Sequence, residues 1–244
     1  QSGSYGDAVV VPLTRISRDY IMASGHAKIE QVVPHGLDTD LFKPLSGTEK
    51  SINRKRVHTP DKILIGSIGA NSKRKRFDLL CNAFSKVLKK YENVHLIIKT
   101  GQRQKSGGFD LGKIVRAANI DQSTRIIAEE LTEEDLAALV GSLAIYVHCS
   151  EWEGFGIPVV EAMASAVPVV CNDAQGPGEL LPYRDFLVKD LNVIDGERNS
   201  VKEADPDSIT HSLEKILTNM DYARELALRA REIAVEQFDY RKVA

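Results

Sequence analysis

Two stretches of this sequence combine residue types that hold anions. Gly69-Ala70-Asn71-Ser72 leads into four consecutive cations, Lys73-Arg74-Lys75-Arg76, just before a segment of helical period. Glycine lets a ligand approach the backbone, and the cations supply charge for a phosphate. The run also reads as a solvated basic loop or an import-like cluster, but its position after an apolar, strand-like run favours anion binding. The second stretch is Ser150-Glu151-Trp152-Glu153-Gly154-Phe155-Gly156-Ile157-Pro158, continuing as Val159-Val160-Glu161-Ala162-Met163-Ala164. Pro158 suits a helix's first turn, so a helix should begin near Ile157, with Gly154 and Gly156 in a flexible loop ahead of it. Free backbone N–H groups and the positive helix end would hold phosphate there. Glu161, about one turn into that apolar helix, is a buried carboxylate in need of hydroxyls or cations.

Two further loops carry weaker signals. Residues 100–108 are glycine-rich and cationic, without a recognisable spacing. Glu129-Glu130-Leu131 could lie along a nucleobase, or could be the run-up to Thr132, a good N-cap followed by three acidic residues. There is no His cluster at metal spacing, so no metal site is expected. His26, His35, His58, His95, His148 and His211 are scattered, and only His148, at a strand end, is worth watching.

The elements that must position these loops follow from periodicity. Short apolar runs at 8–11, 31–33, 62–68, 94–99, 125–128, 143–148 and 168–171 read as strands buried on both faces. Helical periods cover 15–23, 77–90, 111–118, 133–140, 157–165, 206–218 and 222–237. That alternation predicts an α/β fold, a Rossmann-like doubly wound parallel sheet. In such sheets ligands sit beyond the carboxyl ends of the strands, where both anion-holding loops fall.

With 244 residues, 43% of them hydrophobic, the chain can bury a large core, and a net charge of -2 gives no field for wholesale nucleic-acid binding. Nor are aromatics interleaved with the cations, as a single-strand binder would need. Cys81, Cys149 and Cys171 have no metal-binding spacing and read as reduced, buried thiols of a cytoplasmic protein. No apolar run reaches the roughly 18 residues of a membrane span. Residues 46–61 are polar and aperiodic, so a linker or mobile loop is expected between a small unit at 1–45 and a continuous domain at 62–244. The missing initiator Met suggests a fragment, whose first strand, shorn of neighbours, offers an edge for self-association.

The second stretch resembles the donor-domain motif of retaining glycosyltransferases with the GT-B fold, the family 4 or group 1 type: Glu, seven residues, then Glu. Here it is Glu153, GFGIPVV, Glu161, followed by Ala162-Met163-Ala164. Residues 33–42 (VPHGLDTDLF) resemble the family's interdomain stretch, Lys75-Arg76-Phe77-Asp78-Leu79-Leu80 a helix start, and Leu131-Thr132-Glu133-Glu134-Asp135-Leu136 another. The resemblance implies the C-terminal half of a GT-B fold, with residues 1–45 a remnant of the acceptor domain. It implies transfer of a sugar from a nucleoside diphosphate sugar with retention of configuration, with no metal and no cofactor beyond that donor. Glu153 would lie against the transferred sugar, Glu161 on the ribose hydroxyls and Lys75 on the diphosphate. Gly69, Asn71, Glu130, Leu131 and the loop Gly154-Phe155-Gly156-Ile157 would complete the donor site. The family commonly has Arg where this chain has Ala70, which leaves Arg74 as the nearest substitute cation. The nucleobase, the sugar and the acceptor stay open, as does a peripheral membrane contact through the missing domain. A nucleotide-sugar epimerase on the same fold and a non-catalytic binding subunit that needs a partner are the rival readings.

Overall fold

Six short, mostly apolar runs pair into one parallel sheet. They are β1 (Ile63–Ile68), β2 (Val94–Lys99), β3 (Thr124–Ile127), β4 (Ile145–His148), β5 (Val169–Asn172) and β6 (Leu187–Val188). The computed structural model describes residues 10–25, 31–57, 59, 61–101, 108–173, 176–188, 191–195 and 200–243. The strand order is β3-β2-β1-β4-β5-β6, with every pairing parallel. The order reverses between β1 and β4, which opens a crevice beyond their carboxyl ends.

The helices are α1 (Arg15–Ala23), α2 (Gly47–Arg56), α3 (Phe77–Leu88), α4 (Leu111–Ala117), α5 (Glu133–Ser142), α6 (Ile157–Ala164), α7 (Gly176–Leu180), α8 (Pro206–Thr218), α9 (Met220–Gln237) and α10 (Tyr240–Val243). α3 packs with α4 and α8, whereas α6 packs with α5 and α9. The core between these layers and the sheet includes Phe77, Phe84, Tyr146 and Phe186, all essentially inaccessible. Most helix starts are capped as their sequences require: Thr132, Asp205 and Asn219 each accept a backbone N–H of the first turn.

Three expectations fail on particular residues. The stretch expected to be a linker or mobile loop contains α2, which is closed by a capping box between Ser46 and Glu49 and ends on Arg54, Lys55 and Arg56. Its stability comes from caps and charge at the right helix ends, which leave no apolar period to read. It packs on α5, where Gly141 leaves space for Leu45 and the carbonyl of Ser142 accepts from Arg54. The strand expected at 31–33 is not formed; pairing waits until Leu37, which bridges Asp239. Of the strand expected at 8–11, residues 8 and 9 lie outside the described residues, and Val10 and Val11 join no strand.

Beyond the sheet, β7 (Leu191–Asp195) and β8 (Ser200–Ala204) form an antiparallel pair. The C-terminal residues return to the segment that begins at Gly36. Leu37 N–H donates to the Phe238 carbonyl at 2.7 Å, Thr39 bonds Asp239, and a Cβ on Gly36 would lie 2.7 Å from the Tyr240 backbone. No helix among the described residues is long and apolar enough to cross a membrane.

Candidate functional site

The reversal of strand order places the loop after β1 opposite the loop after β4, and each is fixed by backbone geometry. After Gly69 the chain makes a 3-10 turn over Lys73–Lys75, and Arg76 takes the left-handed φ of 50° immediately before α3. The guanidinium of Arg76 is engaged by Asp78 at 2.9 and 3.0 Å and by Glu151 at 2.8 Å. The Arg74 carbonyl accepts from the Glu151 N–H at 2.8 Å, which stitches the two loops together. Gly69 leaves room for the Lys75 stem: a Cβ there would lie 3.0 Å from Lys75 Cε.

Glu153 is where these loops meet. Its Oε1 accepts from Lys75 Nζ, lies 2.6 Å from Arg74 Nη1 and 3.3 Å from Ser150 Oγ, and is 3.8 Å from His148 Nε2. Arg74 thus reaches the same carboxylate as Lys75, and its Nη1 also donates to the Trp152 carbonyl at 2.5 Å. Burial pushes the Glu153 carboxyl up, but the hydrogen bond and charge of Lys75, with His148 and Arg74, outweigh it and hold the group below its ordinary value. Lys75 is nearly buried at 11% side-chain exposure, whereas Arg74 keeps 43%.

Glu161 stands in contrast. It sits in α6, which begins at Gly156 in the left-handed region (φ 95°) with a proline in its first turn. Its carboxylate is buried, and Oε2 has no hydrogen-bond partner. Burial first, then the charge of Glu133, pushes its pKa up to about 7. A buried carboxylate oxygen without a partner is costly.

The remaining expected residues divide. Gly154 faces open space, and Ile157 is exposed at the start of α6. Phe155 turns its ring into the core, edge-on to His35 at 5.3 Å and Phe238 at 5.7 Å, so only its backbone can serve the loop. Asn71 uses both ends of its carboxamide on the backbone of Phe109, at 2.7 and 3.0 Å, and so ties two loops together. Glu130 and Leu131, with Ile68, Gly69, Lys99 and Thr100, line a cleft of about 310 Å³ beyond the ends of β1, β2 and β3. Thr132 also caps α5, as the run-up reading of that segment expects. Most of the glycine-rich loop at 100–108, like His26 and His58, lies outside the described residues.

The structure adds residues that the sequence did not single out. Thr14, the N-cap of α1, donates to the Gly154 carbonyl at 2.8 Å, and Glu179 of α7 accepts from the Arg15 and Ile16 N–H groups at 3.1 and 2.9 Å. Gly176 is bare because a Cβ would lie 2.4 Å from the Gly154 carbonyl. Tyr146, an apparent core residue, has its hydroxyl 3.1 Å from His148 Nδ1, a spacing that the i, i+2 rule of a strand could have flagged. Among the described residues no group of three His, Cys, Asp or Glu could hold a metal ion. Cys81, Cys149 and Cys171 are free and buried, and burial pushes the thiols of the first two up to about 12.

With this geometry in place, residues 48–233 match the family model described as glycosyl transferases group 1. The chain belongs to that family. It is 30% identical over 214 residues to an MMP alpha-(1->4)-mannosyltransferase of Mycolicibacterium hassiacum, over 87% of this chain and 46% of that protein. It is 31% identical over 159 residues to a GDP-mannose-dependent alpha-mannosyltransferase of Mycolicibacterium smegmatis, covering 64% and 38% of the two chains. This glycosyltransferase chain therefore spans less than half the length of these relatives. The crystal structure of Anabaena Alr3699/HepE in complex with UDP-glucose superposes with a TM-score of 0.81 at 20% identity, over 96% of this chain and 61% of that one. The sheet is thus the C-terminal half of a GT-B fold, as the motif implied.

Proposed function

We propose that this chain binds the nucleoside diphosphate sugar in a retaining glycosyltransferase and presents its anomeric carbon to an acceptor. The observation that carries this reading is the convergence of Lys75 and Arg74 on one carboxylate at the strand-order reversal. A diphosphate entering there would take over both cations, and Glu153 would then face the sugar. Charge developing on the leaving diphosphate would be met by Lys75, Arg74 and the backbone N–H groups at the start of α6. Glu161 would accept from the ribose hydroxyls, which supply the donors its orphan oxygen lacks. The nucleobase would occupy the cleft lined by Glu130 and Leu131. Asn71 would hold the loop through Phe109 and keep one amide N–H for the donor.

The relatives named for mannose put GDP-mannose first among donors, and the neighbour with UDP-glucose puts that donor second. A thermal-shift screen of GDP, UDP and ADP, their sugars and the parent nucleosides tests the reading, because a ligand raises apparent stability as RT ln(1 + [L]/Kd). Diphosphates should stabilise the chain well beyond their nucleosides. Equal shifts for guanosine and GDP, or none for any nucleotide, would refute it.

A further inference from the structure

We propose that Tyr146 and His148 form a positioning pair that holds an imidazole Nε2–H ready to receive the Glu153 carboxylate when a diphosphate takes its cations. This rests on the donor reading above. Tyr146 and His148 alternate along β4, so both point to one side of the sheet. Both are buried, Tyr146 completely. The Tyr146 hydroxyl is 3.1 Å from His148 Nδ1 and 3.5 Å from the Ile68 carbonyl. On the other side of the ring, Nε2 has no hydrogen-bond partner and lies 3.8 Å from Glu153 Oε1.

The tautomer follows from what each nitrogen faces. A neutral imidazole has one donor and one acceptor nitrogen. If Nδ1 carried the proton, Nε2 would turn a bare lone pair toward an ionised carboxylate. With the proton on Nε2, the Tyr146 hydroxyl donates to Nδ1 at the shorter of its two contacts, and an N–H faces the carboxylate. Burial first, then the charge of Lys75, pushes the His148 pKa down to about 3 against the pull of Glu153, so the ring is neutral at ordinary pH. The 3.8 Å separation is therefore not an ion pair.

The distance has a reason. In the unliganded chain Oε1 is drawn to Lys75 and Arg74 and is too far from Nε2 for a hydrogen bond. A diphosphate competes for those two cations. His148 Nε2–H offers the carboxylate a donor apart from those cations. A shift of about 1 Å brings it within hydrogen-bonding distance of Nε2–H, with Ser150 Oγ already close. Binding of the diphosphate and reorientation of Glu153 would then be one event.

The test uses imidazole nitrogen and proton NMR of this chain, with and without GDP, UDP or ADP. In the free chain His148 should be the neutral Nε2–H tautomer across the range in which the protein stays folded. A proton on Nδ1 overturns the inference whatever the nucleotide result. On adding whichever nucleoside diphosphate binds, the Nε2–H proton should move downfield as its hydrogen bond shortens; an unmoved signal in a saturated complex also overturns it. His148→Phe should weaken nucleoside diphosphate binding about tenfold while leaving the nucleoside unchanged, the size of one charge-assisted hydrogen bond. His148→Gln, whose amide can reach the Nε2 position, should restore it. Tyr146→Phe removes only the hydroxyl and should shift His148 toward the Nδ1–H tautomer. Equal losses for nucleoside and diphosphate in His148→Phe, unrescued by His148→Gln, would reduce the pair to packing. If no nucleotide binds the unaltered chain, the donor reading fails, and this inference fails with it.

Discussion

Glu153 and Glu161 are eight residues apart in sequence and occupy opposite electrostatic worlds. Glu153, in the loop after β4, draws Lys75 and Arg74 onto one oxygen and is held below its ordinary pKa. Glu161, inside α6, has a buried oxygen with no partner and is pushed up to about 7. Both lie beneath the surface, so burial alone does not separate them. The difference is counter-charge: the loop after β1 delivers its cations to the first carboxylate and none to the second. The unliganded chain thus carries one carboxylate held ionised by its counter-charges and one that burial favours in its protonated form.

The largest effect expected from that difference concerns the charged member. In the protein at the full length of its relatives, Glu153→Gln should lower kcat by roughly a hundred- to a thousandfold, the range seen when one electrostatic stabiliser of a transition state is removed. Nucleotide affinity should hold or tighten, because the amide no longer competes for Lys75. Steady-state kinetics together with calorimetric Kd values check this. A parallel fall in affinity would mean that Glu153 shapes the ground-state site instead.

Next in size is the stability linked to Glu161. Its folded pKa of about 7 lies above the ordinary value of 4.5, so between those values the native chain binds a proton that the unfolded chain has released. Stability should therefore be fully present below pH 4.5, fall as pH rises toward 7, and level off beyond. The loss should be about 3 kcal/mol at 1.36 kcal/mol per pKa unit. Denaturant titrations at several pH values should show that slope, and Glu161→Gln should lose most of it. An unchanged slope in the variant would assign it to other groups and leave Glu161 ionised in the fold.

How much of this was legible beforehand depends on the distance over which each feature is encoded. β1, β2, β4 and β5 and the helices around them show in the sequence because apolar period and caps act over a few residues, as at Thr132 and Pro158. The start of α6 at Ile157 is one such local signal. α2 was hidden because an all-polar helix stabilised by its caps has no period, and α7 because five residues beginning Gly176-Pro177-Gly178 read as a turn. In the site, the cationic run and both glutamates were legible by type and spacing. That Arg76 reaches Glu151 and that Asn71 grips Phe109 are contacts between loops that follow different strands, which no local pattern reveals, whereas the meeting of Tyr146 and His148 is local to β4 and follows from the alternation of a strand.

Lys75 offers the next way to sharpen the comparison. It is nearly buried, and its stem lies against Gly69, so no other side chain can take its place without rearrangement. Lys75→Ala should weaken nucleoside diphosphate binding by about 1.5 to 3 kcal/mol, the value of a charge-assisted contact, with nucleoside binding unchanged. Titration calorimetry of GDP against guanosine, or UDP against uridine, reads the difference directly. A similar loss for both members of either pair would take Lys75 off the diphosphate.

The smallest expected effect belongs to Arg74, the candidate substitute for the arginine absent at Ala70. It meets the same oxygen of Glu153 at 2.6 Å, so on proximity alone Arg74→Ala would mimic Lys75→Ala. Exposure argues for less. With 43% of its side chain in solvent, its charge is screened by water and salt, and an exposed ion pair is worth about 0.2 to 1 kcal/mol. Its Nη1 is also shared with the Trp152 carbonyl, which anchors the guanidinium and limits how far it can swing toward a phosphate. Arg74→Ala should therefore cost the diphosphate only a few-fold in affinity, and the cost should shrink as salt rises, whereas the Lys75→Ala loss should persist. Paired titrations at low and high ionic strength distinguish the two. If the Arg74→Ala loss equals that of Lys75→Ala and survives high salt, Arg74 closes over the bound diphosphate and loses its exposure there, and the two cations form a clamp rather than a buried anchor with an exposed auxiliary.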